Sequence, residues 1–285
     1  MRVLVLDSDS RVGTEVVAAL LMKDYRVEGI TREQLADAES LQAIDHHTIN
    51  IVINCYILQS TELSSEVGDN DIAFAAAVAE RCQQQSIILL HLSSSQVFLE
   101  RHSVEYTEDD EPAPNMASGR ALLAAEQAIM VCDKQLTLRV GWAFSNGSHG
   151  LFEDLLMRLE TGEELIVHAG AEGCPTPAVD VARVVVACAE QLVAGAGCYG
   201  LYHYCSSDPT NSEGFVEAII ATGQQYGYVD PEKVSIKLVD NGELYGIPPH
   251  PVLNCHKILN HFGIKQRPWR SVMASLLKER YQESD

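Results

Sequence analysis

Basic charge is what this chain has least of. Its 285 residues hold 20 lysines and arginines against 40 aspartates and glutamates, a formal net charge of −20. A field of that sign repels nucleic acid and anionic membrane surfaces, so neither is expected as a partner, and any anion site has to be built locally. Paired cysteine spacing is missing too. The eight cysteines (55, 82, 132, 174, 188, 198, 205 and 255) are scattered without a C-x-x-C and lie mostly in apolar segments. They read as reduced core thiols, not a disulfide frame. His46, His47 and the His250/His256 pair have no companion carboxylate at ligand spacing, so no metal site is expected. No apolar run approaches the ~20 residues that a membrane helix needs. The chain opens on a strand-like run and not on a leader, which leads to the expectation of a cytoplasmic protein.

What is present is alternation. Val3, Leu4, Val5 and Leu6 form a short unbroken apolar run, which suits a strand buried on both faces of a parallel sheet. Gly13 and Thr14 lead into Val16, Val17, Leu20 and Leu21 at helical spacing. The pattern recurs, with strands expected at 26–30, 49–57, 87–92 and 136–140 and helices at 71–85 and 118–131. A short helix-like piece is expected at 35–44. Such alternation implies βαβ units with right-handed crossovers. The class is therefore α/β, a Rossmann-like parallel sheet with helices on both faces plus a smaller C-terminal α/β lobe. Residues 1–142 are assigned to the nucleotide-binding-type domain, with 168–200 packing back onto it. Residues 143–167 and 201–285 are assigned to the smaller, substrate-binding-type lobe. Within these, helices are expected at 151–161, 179–193, 211–226 (capped by Ser212), 256–262 and 269–281.

Seven stretches taken in order carry a family resemblance. They are Val52-Ile53-Asn54, the run His91 to Phe98, Tyr106 to Asp110, Leu138 to Trp142, Gly173 to Asp180, Gly200 to His203, and Phe262 to Trp269. Together they resemble the dTDP-4-dehydrorhamnose reductases, within the extended short-chain dehydrogenases, over nearly the whole length. The resemblance implies a domain binding NADPH or NADH, a lobe binding a nucleotide sugar, and hydride transfer to a keto-sugar. It also implies a Gly-x-x-Gly-x-x-Gly loop, a Tyr-x-x-x-Lys pair and a hydroxyl at the end of the fourth strand.

Carried over residue by residue, two of these parts are broken. The loop glycines fall on Asp7, Ser10 and Gly13, and only Gly13 survives; Arg11 and Val12 fill the places between. A Cβ at the first two positions pushes a diphosphate away. At roughly 5–6 Å and an effective dielectric near 20, each of the Asp7 and Asp9 carboxylates costs about 3 kcal/mol against a phosphate. Even halved by screening, the two weaken binding roughly a hundredfold. The structural alternative is that Asp7 and Ser10 cap the helix and close the turn. Arg11 is available to offset one loop charge. Arg32 sits where family members hold an adenosine 2′-phosphate, or is simply solvated.

The tyrosine and lysine positions carry Ser118 and Leu122, in a register fixed by Gly119 and Glu126. A serine beside a leucine cannot do the work of a tyrosine beside an ammonium, and general acid catalysis is typically worth about 10²–10⁴-fold. Ser94 keeps the strand-end hydroxyl, or else bonds local backbone. Gln96, Trp142 and Pro175 fall at the substrate-pocket positions, and Trp142 equally suits a core. The joint loss leads to the expectation of a binding or regulatory pseudoenzyme with no cofactor. It would work on a protein partner or as a homodimer, as the regulatory subunit of methionine adenosyltransferase, in the same family, contacts a partner enzyme. An active reductase using NADP or NAD with unorthodox residues, and a structural partner that never uses its cleft, are the other two readings.

Overall fold

The computed structural model describes residues 1–36, 40–45, 48–56, 69–98, 105–146, 151–168, 172–230, 234–239 and 251–282. His46, His47, His250, the prolines at 248 and 249 and residues 99–104 lie outside the described residues.

The principal elements run β1 (Arg2–Leu6), α1 (Arg11–Leu21), β2 (Arg26–Ile30), β3 (Ile51–Asn54), α2 (Asp69–Gln85), β4 (Ile88–Ser94), α3 (Ala117–Ala128) and β5 (Gln135–Val140). There follow α4 (Leu151–Thr161), α5 (Ala178–Val193), β6 (Gly200–Tyr204), α6 (Ser212–Gln225), α7 (His256–Phe262) and α8 (Trp269–Gln282). The six strands form one sheet in the order β6-β5-β4-β3-β1-β2. Every pairing in it is parallel. Val3 to Leu6 and all of β3 are buried, as runs covered on both faces must be. Strand order reverses between β1 and β3, and in open α/β sheets the crevice outside the carboxyl ends at that reversal is where ligands sit. The sequence thus brings Asp7, Arg32 and Tyr56, which follow β1, β2 and β3, to one rim.

Beyond this sheet lie short parallel pairs, Trp142–Phe144 with Pro175–Pro177, Leu165–His168 with Ile236–Val239, and Glu105–Tyr106 with Val252–Leu253, and one antiparallel pair, Thr210–Asn211 with Glu172–Gly173. Two apolar cores result. One lies between the sheet and its helices, and α5 belongs to it through Val181, Val185 and Leu192. The other gathers Trp142, Phe144, Phe152, Phe215 and Trp269. Phe215 is its hub, with ring centroids 4.4 Å from Trp142 and 5.2 Å from Trp269.

Element ends depart from expectation in small ways that side chains explain. The helix at 212 is capped by Asn211, whose Oδ1 accepts from the Gly214 amide at 2.8 Å; Ser212 is its first residue. Asn211, in extended geometry outside the helix, can turn its side-chain oxygen onto the orphan amide, which a residue already in helical geometry cannot do. The piece at 35–44 is instead one helical turn, Arg32–Leu35, locked by a capping box of Thr31 and Gln34, and a separate 3-10 turn at Ser40–Asp45.

Candidate functional site

The β1–α1 connection is built on one close approach. A Cβ on Gly13 would fall 2.1 Å from the Asp7 carbonyl oxygen and 2.8 Å from Ser10 Oγ, so only glycine lets the helix start so near the strand end. Ser10 is the N-cap, its Oγ accepting from the Gly13 amide at 3.1 Å while donating to the Asp7 carbonyl at 2.6 Å. Asp7 closes the turn through that carbonyl, with φ at +62°, a left-handed conformation that aspartate tolerates better than most residues. Val12 is buried in the first turn of α1 and belongs to the core.

The Asp7 carboxylate does not cap anything. It is 1% exposed and receives two bonds from Arg32, from Nη2 at 2.6 Å and Nε at 3.1 Å. Burial raises its carboxyl above the usual range, and Arg32 opposes that rise. Arg32 also donates from Nη2 to the Tyr56 carbonyl at 2.7 Å, with its guanidinium 4.3 Å from the Tyr56 ring centre. Asp9 Oδ1 accepts from the Arg32 backbone amide at 2.8 Å. Asp7 therefore holds the Arg32 side chain, which stays 30% exposed, and Asp9 holds its backbone amide. The offsetting cation for Asp7 is Arg32 and not Arg11. Arg11 is buried and crosses to donate to the Ala143 carbonyl at 3.0 Å.

On the other side of the crevice, α3 presses its first turn onto the turn after β4. A Cβ on Gly119 would meet the Gln96 carbonyl oxygen at 2.2 Å. That contact puts Ser118 beside the Ser94–Gln96 turn, and Ser94 Oγ accepts locally from the Gln96 amide at 3.3 Å. Ser118 is 7% exposed and Leu122 is fully buried, part of the sheet core. Gln96 and Pro175 are buried as well, and Trp142 belongs to the second core. The structure brings Ser94, Gln96 and Ser118 together; Asp7, Ser10 and Arg32 form a separate group on the β1–β2 side.

His91, Tyr56 and Tyr106 lie near the strand ends, where a replacement acid would have to stand, and the structure adds His203 beside them. His91 Nδ1 faces the Asn54 amide nitrogen at 3.3 Å. Asn54 Oδ1 already accepts from the Tyr56 amide, so Nδ1 is the acceptor and His91 is the Nε2–H tautomer. Burial pushes its pKa down to about 4. His203, its pKa pushed down to about 3 chiefly by burial, bonds the Tyr106 carbonyl through Nδ1 at 3.1 Å. Tyr106 itself stacks on Phe98, centroids 4.3 Å apart. The Tyr56 hydroxyl is raised by burial and by Asp71. Neutral histidines inside a sheet and a tyrosine of raised pKa are poor replacements for an activated phenol.

Sequence reasoning missed two groups. Glu126 and Arg139 form a buried bidentate pair, 2.7 and 2.9 Å, to which Ser93 Oγ donates at 2.5 Å and beside which lies His203 Nε2 at 3.4 Å. The signal was an arginine inside the apolar strand 136–140, which demands a buried partner. The other is a cluster of Cys174, Cys205 and Cys255, brought together from three distant segments. Among the described residues no group of histidine, cysteine and acid is arranged to hold a metal, and no helix is long and apolar enough to cross a membrane.

The parallel sheet, the reversal between β1 and β3 and the glycine-pinned turn at its mouth define a Rossmann-like α/β protein with the frame of a nucleotide-sugar reductase. The family model of the RmlD substrate binding domain matches residues 1–282, and the chain belongs to that family. It is 26% identical to the spore coat polysaccharide biosynthesis protein SpsK of Bacillus subtilis, covering 100% of this chain and 99% of that one. The dTDP-4-dehydrorhamnose reductase of Clostridium acetobutylicum superposes with a TM-score of 0.83 at 20% identity, covering 99% and 100% of the two chains. That of Bacillus anthracis, solved in complex with NADP, superposes with a TM-score of 0.80 at 19% identity, covering 98% of each.

Proposed function

We propose that this chain is a nucleotide-sugar reductase scaffold that binds and regulates without reducing: a pseudoenzyme acting on a protein partner or as a homodimer. The observation that carries the reading is Arg32 folded down onto Asp7 beneath Tyr56, across the strand ends where a dinucleotide would lie. A diphosphate entering there meets a carboxylate and a Cβ in place of two glycines, and the nearest guanidinium is already committed. Ser118 and Leu122 supply neither a proton of suitable pKa nor an ammonium to hold a ribose. The residues present therefore do not fit NADP or NAD. Eight free cysteines, seven of them buried, suit a reducing cytoplasm.

The test is a thermal melt with saturating NADPH and, separately, NADH. No rise is expected. A rise of several degrees with either would mean that the native state binds it, and turnover of a dTDP-linked keto-sugar would sink the reading outright. The second reading, an active NAD(P)-dependent reductase with atypical residues, draws on the NADP present in the Bacillus anthracis structure and on the hydroxyl kept at Ser94. It predicts that turnover exists and falls when Ser94 is replaced by alanine.

A further inference from the structure

Three cysteines from remote parts of the chain meet at the end of β6. Cys205 Sγ lies 3.9 Å from Cys255 Sγ, and the Cys205 amide donates to Cys255 Sγ at 3.3 Å. Cys174 lies within hydrogen-bonding reach of Cys205. Gln266 Nε2 donates to Cys205 Sγ at 3.6 Å and to the Cys205 carbonyl at 3.1 Å, anchoring that residue from a third side. Gly141 packs against the group so tightly that a Cβ there would come 2.8 Å from both Cys205 Cβ and the Cys174 carbonyl oxygen. The sulfurs are held side by side by packing from all directions. A disulfide bond is about 2.05 Å long, so Cys205 and Cys255 need to close by roughly 2 Å, within the reach of side-chain rotation.

We propose that Cys205 and Cys255 are a redox-responsive thiol pair, which peroxide closes into a disulfide joining the end of β6 to the segment that enters α7. Cys205 is fully buried, whereas Cys255 is 5% exposed and is followed by the exposed His256, so oxidant reaches Cys255 first. The Cys255 thiol gives up its proton as its sulfur attacks one peroxide oxygen. The O–O bond breaks, Cys255 becomes a sulfenic acid, and the departing hydroxide leaves as water. Cys205 sulfur then attacks Cys255 sulfur, the S–O bond breaks, and a second water carries away that oxygen with the remaining thiol proton. Two thiols have lost two electrons and two protons, and one peroxide has become two waters. Cys174 is placed to compete for Cys205, which makes the pairing a specific claim.

The consequence is mechanical. Cys205 precedes Ser206, whose carbonyl also accepts from Gln266, and Ser207 bridges to Pro268 at the start of α8. A bond at Cys205 therefore stiffens the junction at which the chain passes from Ile264 in the first core to α8 and Trp269 in the second.

The experiment treats the folded full-length chain with graded hydrogen peroxide, followed by alkylation and non-reducing peptide mapping. Expected is an intact mass lower by two hydrogens, one cross-linked peptide pair containing Cys205 and Cys255, and its disappearance on adding dithiothreitol. Cys255→Ser, with its fold verified by circular dichroism, is expected to form no cross-link at Cys205. A Cys174–Cys205 cross-link would overturn the assignment. So would finding Cys205 and Cys255 still alkylatable, after denaturation, at a dose that has oxidised the half-buried Cys198. The wild-type map alone decides the matter if the variant does not fold.

Discussion

Arg32 grips Asp7 with two hydrogen bonds, 2.6 and 3.1 Å, although the two residues follow different strands and stand 25 positions apart. The pair explains how a loop that has lost two glycines stays compact. Asp7 supplies the left-handed turn through its backbone, and its carboxylate is met by Arg32 at the neighbouring strand end.

Asp7→Asn tests that closure. Asparagine keeps the tolerance for positive φ, so backbone strain is unchanged. What is lost is one of the two acceptor oxygens, which leaves one donor of the partly buried Arg32 guanidinium without its partner at residue 7. A destabilisation of about 1–3 kcal/mol is expected. Urea unfolding should show it as a lower midpoint with an unchanged slope. An unaltered midpoint would mean that the ion pair contributes nothing to the loop.

Leu122→Lys tests whether this core position has room for a cation. It has no exposed surface. Leu122→Lys would bury an ammonium among apolar neighbours and should cost more than about 3 kcal/mol, or abolish soluble expression. Leu122→Met, which nearly conserves volume, should cost under about 1.5 kcal/mol. If the lysine variant melts like the parent, the site retains room and water for a cation, and the case against catalysis weakens.

How much of this was legible in the sequence follows from the range of each interaction. The sheet strands and their helices were readable because their signal is local: Val3 to Leu6 is a run, and Val16, Val17 and Leu20 a period. The Ser10 cap was readable for the same reason. Asn211 displaced Ser212 as a cap because two good capping residues stand side by side and only backbone geometry separates them. The Asp7–Arg32 pair was not readable, since it depends on β1 and β2 being neighbours and on Arg32 turning inward beneath Tyr56. Trp142 suited sugar site or core equally, and its place was settled by Phe215, 73 positions away, through packing that no local pattern encodes.

The Glu126–Arg139 pair should behave as a buried ion pair does. Arg139→Met leaves the Glu126 carboxylate buried without its guanidinium, with only the Ser93 hydroxyl still donating, and should cost about 3–5 kcal/mol. The double variant Glu126→Leu with Arg139→Met removes both charges and should recover most of that loss. Denaturant unfolding of the two single variants and the double variant closes the cycle. Simple additivity would mean that the two charges do not act as a pair.

His91 gives a pH signature with a fixed sign. Its folded pKa is pushed down to about 4 by burial, against an unfolded value near 6.5. Between those values the unfolded chain binds the proton and the folded chain does not, so this group makes stability rise with pH. Its contribution is fully present above about pH 6.5 and is lost as the pH falls toward 4. His203, lowered to about 3, acts in the same sense. Asp7, Glu15 and Glu108, all raised by burial, act in the opposite sense, favouring the fold at low pH. The net slope of the wild type mixes these terms, so the informative quantity is a difference. In His91→Leu every other group remains, and the slope of unfolding free energy against pH between 4.5 and 6 should be smaller by up to about 1.4 kcal/mol per pH unit, the value for one proton. Urea titrations of both proteins across that range measure it. Parallel curves would show that His91 is not held neutral by the fold, and that the strand ends are wetter than their burial implies.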